Sequence, residues 1–131
     1  MGSAESRRRL LAWLALVAWM GLIFFFSHQP GDELVHFGGL DLLVKKGGHF
    51  TVYAILGILA ASATRSWPLA LILVVLYALS DELHQRFVPG RNGNALDVGI
   101  DTAGGVFAWA MHALWKRRAA RNGPLRAEDG L

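Results

Sequence analysis

Four apolar runs, separated by polar or irregular breaks, limit what this chain can fold into. The first, from Leu10 to Ser27, is almost uninterrupted and holds Trp13, Trp19 and the consecutive Phe24, Phe25 and Phe26. At about 1.5 Å per residue it reaches about 27 Å, close to the roughly 30 Å hydrocarbon core of a bilayer. Further runs begin near Gly48 and end around Ala63, then extend from Leu69 to Phe87 and from Asp97 to Trp115. With 53% of its 131 residues hydrophobic, the chain is too apolar for an ordinary soluble domain of this size. The expectation is an all-α membrane protein, a bundle of four transmembrane helices.

The breaks carry their own signals. Arg7, Arg8 and Arg9 before an apolar core are shared with signal peptides. The length and aromatic content of the run, and Ser27-His28-Gln29-Pro30 in place of a small-residue cleavage site, point instead to a retained first helix. Residues 28–47 read as an irregular outer loop, marked by Pro30-Gly31, Gly38-Gly39 and Gly47-Gly48. The apolar stretches Leu34 to Phe37 and Leu40 to Val44 make it partly membrane-associated. Thr64-Arg65-Ser66-Trp67-Pro68 is a short turn with a capping serine, an interfacial tryptophan and a proline suited to a first helical turn. Residues 1–9 read as a cytoplasmic tail, 10–115 as one transmembrane domain, and 116–131 as a basic tail expected to be disordered.

Basic residues set the orientation. Arg7, Arg8, Arg9, Arg65, Lys116, Arg117, Arg118, Arg121 and Arg126 fall on the side holding both termini; Lys45, Lys46, Arg86 and Arg91 fall opposite. The positive-inside rule then predicts that both termini are cytoplasmic. The formal charge of +3 does not indicate nucleic acid, because the cations flank apolar runs and form no basic stripe. The absence of cysteine excludes disulfides, thiolate nucleophiles and zinc–thiolate sites.

Against this apolar background, each helix end on the outer side carries a polar stripe. Ser27, His28 and Gln29 close the first helix. Lys45, His49 and Tyr53 are spaced four apart on the second. Asp81, His84 and Gln85 share a face of the third, with Glu82 about 100° around the same turn, and Asp97 and Asp101 are one turn apart on the fourth. Charged groups at membrane depth are expensive and mark functional sites, so the convergence of four stripes predicts one shared pocket. Lys46 and Arg86 read as cations that snorkel to the interface. Gly104-Gly105, with Ala103 and Ala108, reads as a close helix-packing surface.

These residues also carry a resemblance. Ser27-His28-Gln29-Pro30-Gly31, the Lys45/His49/Tyr53 stripe, Ser80-Asp81-Glu82-x-His84-Gln85-x-Phe87-Val88-Pro89-Gly90-Arg91 and Asp97-x-x-x-Asp101-x-x-Gly104 resemble the VanZ-like family of small bacterial membrane proteins over residues 10–115. The namesake is associated with resistance to teicoplanin, a lipid-anchored glycopeptide antibiotic, so the resemblance implies a place in the cell envelope.

The expected function is action on an anionic envelope lipid or lipid-linked glycan precursor. Lys45 and Arg91 would hold its phosphate. His84 or His49 would be the acid or base, oriented by Glu82 or Asp81. Tyr53, Gln85, Asp97, Asp101, Ser27 and Gln29 would complete the ligand site. A variant with a metal on Asp81, His84 and Asp97 is allowed by ligand type alone, and the residues name no cofactor. The alternatives are a non-catalytic binder or carrier of a lipid headgroup, and a scaffold for envelope enzymes.

Overall fold

A computed structural model describes residues 2–30 and 38–123, and every extended element among them is helical: α1 (Gly2–His28), α2 (Asp41–Thr64), α3 (Trp67–Gln85) and α4 (Ala95–Arg121), with one 3-10 turn at Gly38–Leu40 before α2. Three helical segments are long and apolar enough to cross a membrane: Gly2–His28, Gly38–Thr64 and Trp67–Gln85. The fourth, α4, is as long as α1 but mixes Asp97, Asp101 and glycines into its apolar sequence.

The helix boundaries depart from expectation in three places. First, α1 starts at Gly2, so most of the expected tail is helical; Ala4, Glu5 and Arg7 to Arg9 include good helix formers. Second, α2 starts at Asp41, so Asp41 to Gly47 belong to a helix and not to the outer loop. Asp41 sits in the first turn, where a negative charge suits the helix dipole, and binds Lys45 Nζ one turn later at 2.8 Å. Those contacts, and the bonds Lys46 and His49 make to α4, offset the roughly 1 kcal/mol that each of Gly47 and Gly48 costs in a helix. The expected loop is thereby shortened from its C-terminal end; Asp32, Glu33, His36 and the rest of residues 31–37 lie outside the described residues. Third, α4 runs beyond Trp115 to Arg121, so Lys116 to Arg121 are helical and not a disordered tail. Arg118 and Arg121 in its last turn complement the negative end of the dipole.

The turns follow their sequence signals. Arg65 ends α2 in the left-handed region at φ 56°, and the Ser66 side chain accepts from Leu69 N–H at the start of α3. After Gln85 the chain tightens through Phe87 N–H to His84 C=O and Val88 N–H to Gln85 C=O. Asn94 then caps α4 by accepting from Leu96 N–H at 3.0 Å.

The α2–α3 pair lies at the centre, with α1 and α4 on opposite sides of it and out of contact with each other. Against α4 the approach is backbone to backbone: a Cβ on Gly57 would lie 3.3 Å from Gly105 Cα, and one on Gly104 would lie 2.2 Å from the Phe50 carbonyl oxygen. This is the small-residue packing expected of membrane helices. The core joins Leu16 and Ile23 of α1 to Tyr53, Leu56, Ala60 and Ala63 of α2 and Ala70, Val74 and Ala78 of α3. Outward faces are apolar, including Leu10, Leu14, Val17, Leu22 and Phe24 to Phe26 on α1 and Leu69, Ile72, Leu76, Leu79 and Leu83 on α3. That inversion of the usual surface fits a hydrocarbon solvent.

Candidate functional site

At about 100° per residue, Ala70, Val74, Ala78, Asp81, Glu82 and Gln85 fall within one arc of α3, and all six are buried. His84 lies about 60° outside Asp81, at the edge of that arc facing α1. The expected grouping of Asp81, His84 and Gln85 therefore divides. Asp81 and Gln85 turn inward, while His84 Nε2 lies 3.1 Å from His28 Nδ1 and its ring packs on Phe24. His84 is removed from the carboxylates expected to orient it.

Two polar groups result. In the first, between α2, α3 and α4, His49 Nδ1 is 2.9 Å from Asp101 Oδ1, Lys46 pairs with Asp97, and the Tyr53 hydroxyl donates to Asp81 Oδ2 at 3.2 Å. Their registers match: Lys46 and His49 on α2 meet Asp97 and Asp101 on α4 at nearly the same helical spacing. Glu82 Oε2 accepts from Asn94 N–H at 2.7 Å and so ties α3 to the start of α4. That bond requires the chain to pass close by at Gly93, where a Cβ would lie 2.3 Å from the Glu82 carbonyl oxygen. In the second group, between α1 and α3, Gln85 Nε2 donates to Ser27 Oγ at 2.7 Å and contacts Asp81 Oδ2 at 3.3 Å, which links the two groups.

Arg91 also serves α1. Its Nε–H donates to the Gln29 carbonyl at 3.1 Å and Nη2–H to the Phe26 carbonyl at 2.6 Å, satisfying acceptors that a helix C-terminus leaves open. Burial pulls its guanidinium below the ordinary arginine value, while Asp81 and Glu82 push it back up. Two of its five donors are engaged in these bonds.

A cavity of about 700 Å³ separates α1 from α2 at this end. Trp19, Leu22, Ile23, Phe26, Leu42, Val44 and Val52 make it largely apolar. Ser27, Lys45, Lys46, His49, Tyr53, Asp81, Gln85, Arg91 and Asp97 are the polar side chains it meets, with Asn92. Glu82, His84, Asp101 and Gln29 were expected at this site but do not line the cavity. Gln29 bonds its own helix at the Phe25 carbonyl, and Ser80 is exposed and bonds the Tyr77 carbonyl. Lys45 is the more exposed of the two lysines, and Asp81 is nearly out of reach of solvent, so cations stand at the rim and acids at the floor.

Asp81, His84 and Asp97 do not come together as a ligand set. Among the described residues, the group with metal-ligating atoms close together is His49, Glu82 and Asp101, all within 4.8 Å of one another. Lys46, read from sequence as a snorkelling cation, is the residue most clearly missed; its position three before His49 was the available signal.

No curated protein and no solved structure matches the chain. The model of the VanZ/LLP1 family matches residues 12–116, which take in α2, α3, most of α1 and α4, and every residue of both polar groups. The chain therefore belongs to the VanZ/LLP1 family.

Proposed function

We propose that the chain spans the bacterial inner membrane four times, with both termini cytoplasmic, and that its outer end binds an envelope lipid or lipid-linked intermediate with an anionic headgroup. The observation that carries this reading is the cavity between α1 and α2, where an apolar wall of Trp19, Leu22, Phe26 and Val52 leads to Lys45 and Arg91. Apolar walls take a chain and rim cations take a phosphate, and α4 completes the bundle as a fourth span whose acids face protein rather than lipid. A lipid-anchored glycopeptide of the teicoplanin type has the same amphiphilic form, which is how resistance would follow from such a site.

A second reading, hydrolysis of a headgroup ester, is favoured by His49 on the cavity wall with its Nδ1 held against Asp101. Donating Nδ1–H to Asp101 leaves Nε2 basic. His49 would take a proton from water as the water oxygen bonds to the ester centre. It would return that proton to the alcohol oxygen as the bond to the leaving group breaks.

Native mass spectrometry in mixed micelles of phosphatidylglycerol and phosphatidylcholine tests the binding reading. Wild type is expected to retain phosphatidylglycerol preferentially, and Lys45→Glu to lose at least about tenfold in that preference with only a slight fall in melting temperature, about 0.5 kcal/mol from facing Asp41 one turn away. Equal retention of both lipids, or an unchanged preference in Lys45→Glu, would overturn it.

A further inference from the structure

The corner where α2, α3 and α4 meet holds more negative charge than its visible partners answer. Lys46 neutralises Asp97, and Tyr53 and Gln85 hydrogen-bond Asp81, which leaves Glu82 and Asp101 facing His49. Both acids are out of water, Asp101 at 0% and Glu82 at 4% exposure. Each has one oxygen fixed by the protein: Glu82 Oε2 by Asn94 N–H, and Asp101 Oδ1 by His49. The other oxygen of each, Glu82 Oε1 and Asp101 Oδ2, is buried without a hydrogen-bond partner. A buried carboxylate oxygen without a partner is costly, and two of them within reach of one imidazole call for a shared positive species.

We propose that His49, Glu82 and Asp101 form a site for one divalent transition-metal cation of the zinc, manganese or ferrous class. One imidazole and two carboxylates are the donor mixture these ions accept, whereas magnesium and calcium favour all-oxygen shells. Two donors each about 2.1 Å from a common ion lie roughly 3.0–3.4 Å apart at ordinary angles, so the 2.9 Å between His49 and Asp101 is close to the spacing of two ligands on one metal. The widest separation, up to 4.8 Å, closes to that spacing with a side-chain movement of about 1.4–1.8 Å. The bond from Asn94 to Glu82 then acts as the outer contact that orients a ligating carboxylate. Three protein ligands leave coordination positions open, and His49 also lines the cavity, so the ion would place positive charge at its acidic floor. With an ion in place His49 is a ligand and not a base. The site does not depend on lipid being bound.

The test is metal analysis of the full chain, purified in detergent without a polyhistidine tag, stripped with chelator and reloaded with Zn²⁺ or Mn²⁺ at micromolar concentration. About one ion per chain is expected, with a rise in melting temperature on loading. Glu82→Gln and Asp101→Asn keep side-chain size and are expected to weaken binding at least tenfold, while His112→Ala, at the other end of α4, leaves it unchanged. X-ray absorption of zinc-loaded wild type, independent of how the variants fold, is expected to show a nitrogen and oxygen shell with an imidazole contribution. Three results would overturn the assignment: undiminished binding in both variants, a spectrum without imidazole, or folded wild type that neither holds nor is stabilised by either ion, which would leave a shared proton between the acids instead.

Discussion

Toward α4, α2 packs through its backbone; toward α1 it packs through side chains. On the α4 side Gly57 meets Gly105, Gly104 lies under the Phe50 carbonyl, and Lys46 meets Asp97 and His49 meets Asp101. On the α1 side the helices touch through Trp19 Nε1–H to the Val52 carbonyl and leave a cavity of about 700 Å³. The same helix thus has one face closed by backbone contact over its glycines and one that leaves open volume beside it. Small residues decide which: where glycine and alanine let backbones approach, the helices close up, and where Trp19 and Phe26 stand between them, the cavity remains.

The tight face should break first. Gly104→Val puts a branched side chain where even a Cβ would lie 2.2 Å from a backbone oxygen that cannot move without moving α2. A loss of more than about 3 kcal/mol is expected, beyond the usual range for overpacking because the obstacle is main chain. In thermal unfolding in detergent, that appears as loss of a folded population. Gly99→Ala on the same helix has nothing within 4 Å and gains helix propensity, so its stability should hold or rise by up to about 1 kcal/mol. Equal effects from the two substitutions would show that the close approach is not what holds α4.

On the loose face the contacts are individual hydrogen bonds, and their loss should be milder. Gln85→Ala removes the donor to Ser27 and one contact to Asp81, at an expected cost of about 1–2 kcal/mol for buried groups left unpaired. Combining it with Ser27→Ala in a double-mutant cycle should return a coupling of about 0.6 kcal/mol, typical of hydrogen bonds between membrane helices. A coupling near zero would mean that the Ser27–Gln85 bond adds nothing to the packing of α1 on α3.

How far these features could be read from the chain depends on which forces act along it. The apolar runs and the turn at Ser66-Trp67-Pro68 are local signals, and the structure follows them. The early start of α2 was hidden because Gly47-Gly48 reads as a breaker, and what overrides it, Lys46 on Asp97 and His49 on Asp101, lies about fifty residues away. The division of Asp81 and Gln85 from His84 was within reach of helical arithmetic, but periodicity alone does not say which arc a neighbour covers. Arg91 was legible as a cation near the site; that it binds the last carbonyls of α1 depends on tertiary placement that no spacing reveals.

The smallest test concerns how α1 is tied at its far end, by Glu5 to Arg65 at 3.0 Å with both side chains more than half exposed. An exposed pair of this kind contributes at most about 1 kcal/mol and usually less. Arg65 also holds a left-handed conformation, φ 56°, that costs a non-glycine residue about 1 kcal/mol and costs glycine almost nothing. The two effects separate by substitution. Arg65→Ala gives up the pair and keeps the strained backbone, so the melting temperature should fall slightly. Arg65→Gly gives up the same pair and removes the strain, though glycine also loosens the unfolded chain, so the net change should be a small rise, within about 1 kcal/mol. If glycine proves as destabilising as alanine, the Glu5 contact outweighs the backbone, and α1 is fastened at this end more firmly than its open, ligand-sized separation from α2 at the other end suggests.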